Sequence, residues 1–188
     1  MVRLIAFFLT LLFTSLALAT DDTALLKEAR LIAQSLPPKL LNVIQAEIDK
    51  RGTEQALVAY SHLSPKVLAD ASEETGWEIR QISPMNRNPK GLPDAWETGI
   101  LAEFDRRISG GELPVKMDKG EVVVEGGKRY YRYMQPMMMQ RVCMECHGPE
   151  DAINPGVRQR IKELYPADRA TGYTDGMMRG ALTLRRPL

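Results

Sequence analysis

The spacing of apolar residues predicts a helical N-terminal region. Apolar side chains at positions 25, 26, 29, 32 and 33 recur at helical spacing, and Pro37-Pro38 is expected to end that helix. A second apolar stripe, over residues 40–48, predicts another helix that ends near Gly52. A third helix is expected from Thr53, and Ser64-Pro65 is typical of the start of a fourth. Residues 20–76 are therefore predicted to form a series of short helices.

The pattern changes after residue 76 to a mixture of strands and helices. A capping box at Asp94–Glu97 opens a helix with one apolar face, and Pro155–Leu164 predicts a second helix. Strands are predicted over residues 77–83 and 179–185, and a hairpin over residues 121–134 turns at Gly126-Gly127. Helices packed against a small antiparallel sheet fit this order, so the predicted fold class is α+β.

Residues 1–19 have the features of a secretory signal peptide. Arg3 precedes an uninterrupted stretch of apolar and small residues, Leu4–Leu18, and Ala17-Leu18-Ala19 supplies a cleavage site after Ala19. A retained anchor helix is the alternative, but the stretch is shorter than the about 20 apolar residues that span a bilayer. We therefore expect an exported, periplasmic protein with no membrane span after cleavage. Its single domain would comprise residues 20–188, with a helical part at 20–76 and a part that contains the sheet at 77–188.

Composition narrows the function classes. The chain is 44% hydrophobic and 26% charged, which is ordinary for a globular protein and excludes a disordered or collagen-like chain. Its 25 Lys+Arg and 24 Asp+Glu residues give a formal net charge of +1, so there is no basic excess to bind a nucleic acid. Only two Cys and two His occur, and three of these four residues fall within one short motif.

That motif is Cys143-Met144-Glu145-Cys146-His147, and three interpretations of it compete. A redox-active dithiol needs only the two cysteines, usually at the start of a helix, and Gly148-Pro149 does not begin one. Zinc needs four ligands, and beyond the motif only His62 or a carboxylate is left. Covalent attachment of c-type haem uses all three residues in this order, with thioethers at Cys143 and Cys146 and His147 as axial iron ligand. Export favours haem, because c-type haem is attached outside the cytoplasm.

Four stretches of the chain resemble the exported single-haem proteins with a PAS-like domain. They cover most of residues 53–188 in order and read Arg87-Asn88-Pro89 with Pro93–Glu97, Tyr131–Met134 with Pro136, Cys143–Pro149, and Tyr165–Tyr173 with Gly176 and Arg179–Ala181. The resemblance implies a PAS-like antiparallel sheet flanked by the N-terminal helices, one covalently attached haem c, and a redox or sensory role. The chain departs from the family in two places. Gly91 stands where many members have Asn, which predicts a looser loop, and no third Cys is present where some members have one that reaches the iron.

The sequence does not determine the ligand on the other side of the iron. His62 is the remaining histidine and a candidate sixth ligand, although a histidine in a polar helix-end turn is more often a surface residue. Tyr60 lies nearest the position of the family's additional cysteine and is another candidate, as is an open site that would bind NO, CO or O2. Several methionines are further candidates, although methionine more often fills apolar gaps: Met134, Met137, Met138, Met139, Met177 and Met178.

Four arginines could pair with the haem propionates, because a guanidinium forks onto a carboxylate: Arg87, Arg132, Arg141 and Arg179. We single out Arg87 and Arg132 as the candidate propionate partners. For each residue the alternative is a solvated surface charge.

Three functions are compatible with one exported haem. The first is a periplasmic mono-haem cytochrome-like protein for one-electron transfer or a redox response, and it needs nothing beyond this chain. The second is a gas or redox sensor, which would signal through a separate transducer protein. The third, a peroxidase-type enzyme, is weakest because no histidine is placed by its spacing for distal acid–base work, and we assign no catalytic residue.

Overall fold

A computed structural model describes residues 22–188 and shows two long N-terminal helical segments, joined by a kink at Gly52, instead of four short helices. The predicted signal peptide lies outside the described residues. Helix α1 spans Asp22–Thr75, and within it only Gly52 has non-helical torsions (φ 76°, ψ 161°). The expected helix ends at Pro37-Pro38 and before Ser64-Pro65 are therefore wrong, whereas the expected end near Gly52 is confirmed, because the helical torsions are interrupted there. A positive φ of this size is accessible to glycine at little steric cost.

Burial on both sides of the proline pair explains why α1 continues through it. An interior proline removes a backbone hydrogen bond and crowds the preceding turn, at a cost of about 3 kcal/mol. Leu36 and Leu40 are both almost completely buried, and each buried leucine contributes about 1.5–3 kcal/mol. Together with the other buried side chains of this stretch, Ala29, Ile32 and Ala33, this burial offsets the cost of the two prolines, so tertiary packing decides the local conformation.

Four antiparallel strands form one sheet. They are β1 (Glu78–Ile82), β2 (Lys119–Glu125), β3 (Lys128–Met138) and β4 (Met178–Pro187), in the spatial order β1-β4-β3-β2. The hairpin of β2 and β3 turns at Gly126 and Gly127, whose φ angles of 56° and 77° suit a tight two-residue turn. The predicted hairpin and α+β class are confirmed.

Three further α-helices lie within residues 22–188. They are α2 (Ala95–Ser109), the single turn α3 (Met144–His147) and α4 (Pro155–Leu164). The capping box that opens α2 is complete, because Asp94 accepts from the Glu97 amide and Glu97 accepts from the Asp94 amide. The predicted bounds of α4 are confirmed.

The sheet is covered on both faces, and this arrangement leaves the motif at one end of it. The N-terminal half of α1 packs on one face with Trp77, Tyr131 and Leu184, and α2 packs on the other with Phe104 and Met134. A third apolar cluster joins the second half of α1 to α4 through Leu57, Ile153, Val157 and Ile161, with Cys146 packed against it. Within residues 22–188, no helix combines the length and apolar character needed to cross a membrane.

Candidate functional site

The Cys-x-x-Cys-His motif forms one compact helical turn. A 3₁₀ turn, Arg141–Cys143, runs directly into α3 (Met144–His147), and the Gly148 amide closes the turn on the Met144 carbonyl at 3.0 Å. A β-carbon at Gly148 would lie 2.6 Å from that carbonyl oxygen, so only glycine fits there without a shift. Residues spaced i, i+3 and i+4 share one face of a helix, so Cys143, Cys146 and His147 lie on the same side of this turn.

His147 is held in the tautomer that a metal ligand needs. Its Nδ1 lies 2.6 Å from the Ala170 carbonyl oxygen, which can only accept, so Nδ1 carries the proton and Nε2 is left with its lone pair. Burial, with the nearby guanidiniums of Arg87 and Arg179, holds the pKa of His147 well below its usual value. The imidazole is therefore neutral at neutral pH.

The two cysteines differ from those of a dithiol redox centre. Both are free thiols of intermediate exposure. Burial raises the pKa of Cys146 to about 11, against a smaller opposing effect of Arg87. A reactive thiolate needs the opposite shift. Among the described residues, moreover, no three side chains of the His, Cys, Asp and Glu types converge as a metal-ligand set of the kind zinc requires.

Two loops hold the motif from one side, and Arg87 links them. Its Nη2 donates to the Cys146 carbonyl at 2.6 Å, and its Nε donates to Asp168 Oδ1 at 2.9 Å. Arg87 and Asp168 are 9% and 10% exposed, so this is a buried ion pair. Asp168 also accepts from the Ala170 amide at 3.2 Å, next to the carbonyl that binds His147.

The loop around Gly91 is pinned, so the expected looseness there is wrong. The Gly91 carbonyl accepts from the Ser83 amide at 2.9 Å, and the Gly91 amide donates to the Asn88 carbonyl at 2.9 Å. A β-carbon at Gly91 would lie 3.0 Å from the Gln81 carbonyl, which leaves little room for a side chain.

Arg132 is not brought to the motif. It is 3% exposed and pairs with Asp94 at 2.7 Å, Glu125 at 2.8 Å and Glu97 at 3.0 Å, with its guanidinium 4.3 Å from the Trp96 ring centroid. Side chains alternate along a strand, so Arg132 points to the α2 face of the sheet while its neighbours Tyr131 and Tyr133 pack against α1. It lines a charged cleft of about 320 Å³ there, and the structure gives it carboxylate partners of the protein itself.

In the C-terminal half of α1, Tyr60 is half-buried and close enough to Cys143 to interact with it electrostatically, whereas His62 is exposed. Leu57, three residues before Tyr60, packs in the same apolar cluster as Cys146. Burial raises the pKa of Tyr60, a hydrogen bond with Ser64 opposes this, and nearby Cys143 adds to the rise. His62 is exposed and lies two residues beyond Tyr60, on another side of the helix.

Three contacts at the motif were not found from the sequence. The Ala170 carbonyl is a backbone group and leaves no trace in residue type. Asp168 is typical of a turn, and only its buried contact with Arg87 gives it a second role. Tyr173 is 3% exposed, and its ring stands edge-on to His147 with the centroids 6.4 Å apart. The stretch Tyr165–Tyr173, which carries part of the family resemblance, contains Asp168, Ala170 and Tyr173. Its similarity to the family was therefore the one signal in the sequence that indicated a role for these residues.

Fold and site together define a class: an α+β protein in which a one-turn Cys-x-x-Cys-His helix is clamped at the end of a four-stranded antiparallel sheet. The family described as Tll0287-like matches residues 20–187, and the chain belongs to this family. Its structure is similar to the one described as the crystal structure of the cyanobacterial heme-protein Tll0287, with a TM-score of 0.61 and 22% sequence identity. The similarity covers 88% of this chain and 93% of that chain and shows a shared fold. No curated protein matches significantly.

Proposed function

We propose that the protein carries one haem c, attached through Cys143 and Cys146 with His147 as axial ligand, and serves in one-electron transfer or a redox response. The observation that carries the proposal is the bond from His147 Nδ1 to Ala170, because it leaves Nε2 as the free nitrogen within a Cys-x-x-Cys-His turn. The related structure is described as that of a heme-protein, which supports the same cofactor.

The residues of the motif fit such a group. Cys143 and Cys146 are unpaired thiols on one face of a helical turn, as two thioethers to one tetrapyrrole require. Leu57, Ile153 and Val157 provide an apolar wall beside Cys146 that excludes water. When bound, the haem iron would supply a one-electron couple. The chain's own contribution is to orient the His147 imidazole through Ala170 and to hold the turn in place through Arg87 and Asp168.

The rest of the proposal concerns compartment and architecture. We propose cleavage after Ala19, a periplasmic location, and a single domain over residues 20–188 whose sheet is of the PAS-like type. Signal cleavage is supported by the pattern of residues 1–19, and the PAS-like type by the central antiparallel sheet covered with helices on both faces.

For the far side of the iron we favour the Tyr60 side of α1 over His62, because His62 is exposed and Tyr60 is half-buried near Cys143. A sixth position without a strong ligand would favour the second candidate function, a gas or redox sensor that signals through a separate protein. The observation that favours the sensor is the half-buried Tyr60 near Cys143, because its protonated hydroxyl is not a strong iron ligand.

The test of the proposal is the mass and spectrum of the exported protein, made in a host with c-type haem maturation. We expect a coloured protein heavier than the processed chain by one haem, with absorption that survives denaturation. A variant with both Cys143→Ala and Cys146→Ala, exported in the same way, should lose the bound mass. A colourless wild-type protein with the mass of its amino acids alone would refute the proposal.

A second measurement separates carrier from sensor. The reduced protein is exposed to CO and its absorption is followed with time. Immediate formation of a CO complex supports the sensor, whereas an unchanged six-coordinate spectrum supports the electron carrier.

A further inference from the structure

A second guanidinium, that of Arg179, lies near His147, and unlike Arg87 it makes no ion pair within residues 22–188. Arg179 Nη1 donates to the Met85 carbonyl at 3.0 Å and to the Tyr173 hydroxyl at 3.4 Å, which are both neutral acceptors. Arginine keeps its charge near neutral pH because its ordinary pKa lies above 12. Arg179 is half-buried, so the structure holds a positive charge there that no carboxylate of the described residues contacts directly, although Asp168 lies close enough to offset part of it.

Tyr173 fixes this charge relative to His147. The guanidinium carbon of Arg179 lies 5.2 Å from the centroid of the Tyr173 ring. The same ring stands at 85° to the His147 ring, with the centroids 6.4 Å apart. One buried aromatic side chain thus lies next to both the cation and the imidazole.

The backbone next to Arg179 is equally constrained. Gly180 has a φ of 151°, and a β-carbon there would lie 2.0 Å from the Ile82 carbonyl oxygen. The backbone at the start of β4 therefore packs directly against the backbone at the end of β1. Arg179 is therefore carried on a part of the sheet whose local geometry admits no side chain at the next residue.

We propose that the positive charge of Arg179 raises the reduction potential of an iron ligated by His147. This inference rests on the proposed function. Reduction transfers one electron from an external one-electron donor to the ferric centre and lowers its charge by one unit, with no bond made or broken. A fixed cation nearby disfavours the more positive ferric state, and partial burial protects this effect from screening by salt.

Arg87 provides the internal comparison. Its guanidinium contacts the Cys146 carbonyl of the motif itself, but unlike Arg179 it forms an ion pair, with Asp168 at 2.9 Å, that offsets part of its charge. Removing the charge of Asp168 while keeping its shape would uncover the positive charge of Arg87. Asp168→Asn should therefore shift the potential in the opposite direction from Arg179→Gln.

The test is a spectroelectrochemical titration of the haem-loaded protein. Arg179→Gln should lower the equilibrium constant for reduction about tenfold. For a one-electron couple this corresponds to a midpoint potential lower by about 59 mV. Arg179→Lys should retain most of the wild-type potential, and Asp168→Asn should raise it. Arg129→Gln removes the same charge from an exposed position at the hairpin end of the sheet and should leave the potential unchanged at high salt.

Two results would overturn the inference. One is an Arg179→Gln potential that equals that of Arg129→Gln, and the other is an Arg179→Lys shift as large as that of Arg179→Gln. Should Arg179→Gln fail to fold, a lowered potential in Asp168→Asn would overturn it as well. A colourless protein would instead refute the proposed function, so the two failures are distinguishable.

Discussion

Replacement of Asp168 by alanine should destabilise the protein severely, because it leaves the Arg87 guanidinium buried and unpaired. Arg87 is 9% exposed, and Asp168 accepts from its Nε at 2.9 Å and from its Nη2 at 3.3 Å. Loss of one partner of a buried pair costs about 3–5 kcal/mol, since the remaining charge keeps its desolvation penalty without the attraction that offset it. For a chain of this size that loss lowers Tm by about 6–20 °C.

A double-mutant cycle separates this cause from simple loss of contacts. The variant with both Arg87→Met and Asp168→Ala removes the stranded charge and should recover at least half of the stability lost in Asp168→Ala. Urea unfolding followed by circular dichroism provides the free energies for wild type, both single variants and the double variant. The reasoning is refuted if Asp168→Ala costs less than about 1 kcal/mol, the range of an exposed pair, or if the double variant is less stable than Asp168→Ala.

Three further predictions concern other parts of the site. In protein without haem, the free energy of unfolding should fall as the pH drops below about 6.5. The pKa of His147 is depressed in the folded state, so the unfolded chain binds a proton at this residue first. His147→Gln should reduce this decline, measured as the urea midpoint from pH 7 to 4. Gly180→Ala should cost more than about 2 kcal/mol through strain at positive φ and a collision with a β1 carbonyl. Its control is Gly99→Ala, at an exposed helical position with open space, which should stabilise by about 0.5–1 kcal/mol; thermal melts measure both variants. Tyr60→Phe should change the Soret band of the haem-loaded protein and His62→Ala should not, because Tyr60 is half-buried and interacts electrostatically with Cys143 while His62 is exposed. A change with His62→Ala alone would contradict this reasoning.

Local signals in the sequence were sufficient for the elements around the site. The hairpin turn at Gly126-Gly127, the capping box at Asp94 and the bounds of α4 each depend on residues within a few positions of one another. The length of α1 does not, because Pro37-Pro38 breaks a helix locally and only burial of its flanks against the sheet overrides that preference. Sequence patterns therefore predicted where this chain turns better than where it continues.

The arginines show the same limit for the chemistry of the site. Arg87, Arg132 and Arg179 have the same side chain and all lie in stretches shared with the family, so their sequence context favours one common role. The structure separates them by carboxylate partners that are distant in the chain: Arg87 meets a residue 81 positions away, Arg132 meets three carboxylates on the α2 face, and Arg179 meets none among the described residues. Of the three, Arg87 and Arg179 act electrostatically on His147, and only Arg87 of these two has a carboxylate in direct contact within residues 22–188. The number of arginines near the motif is consequently a poor guide to the reduction potential of a haem bound there. Removing the Asp168 carboxylate should raise this potential, and removing the Arg179 guanidinium should lower it.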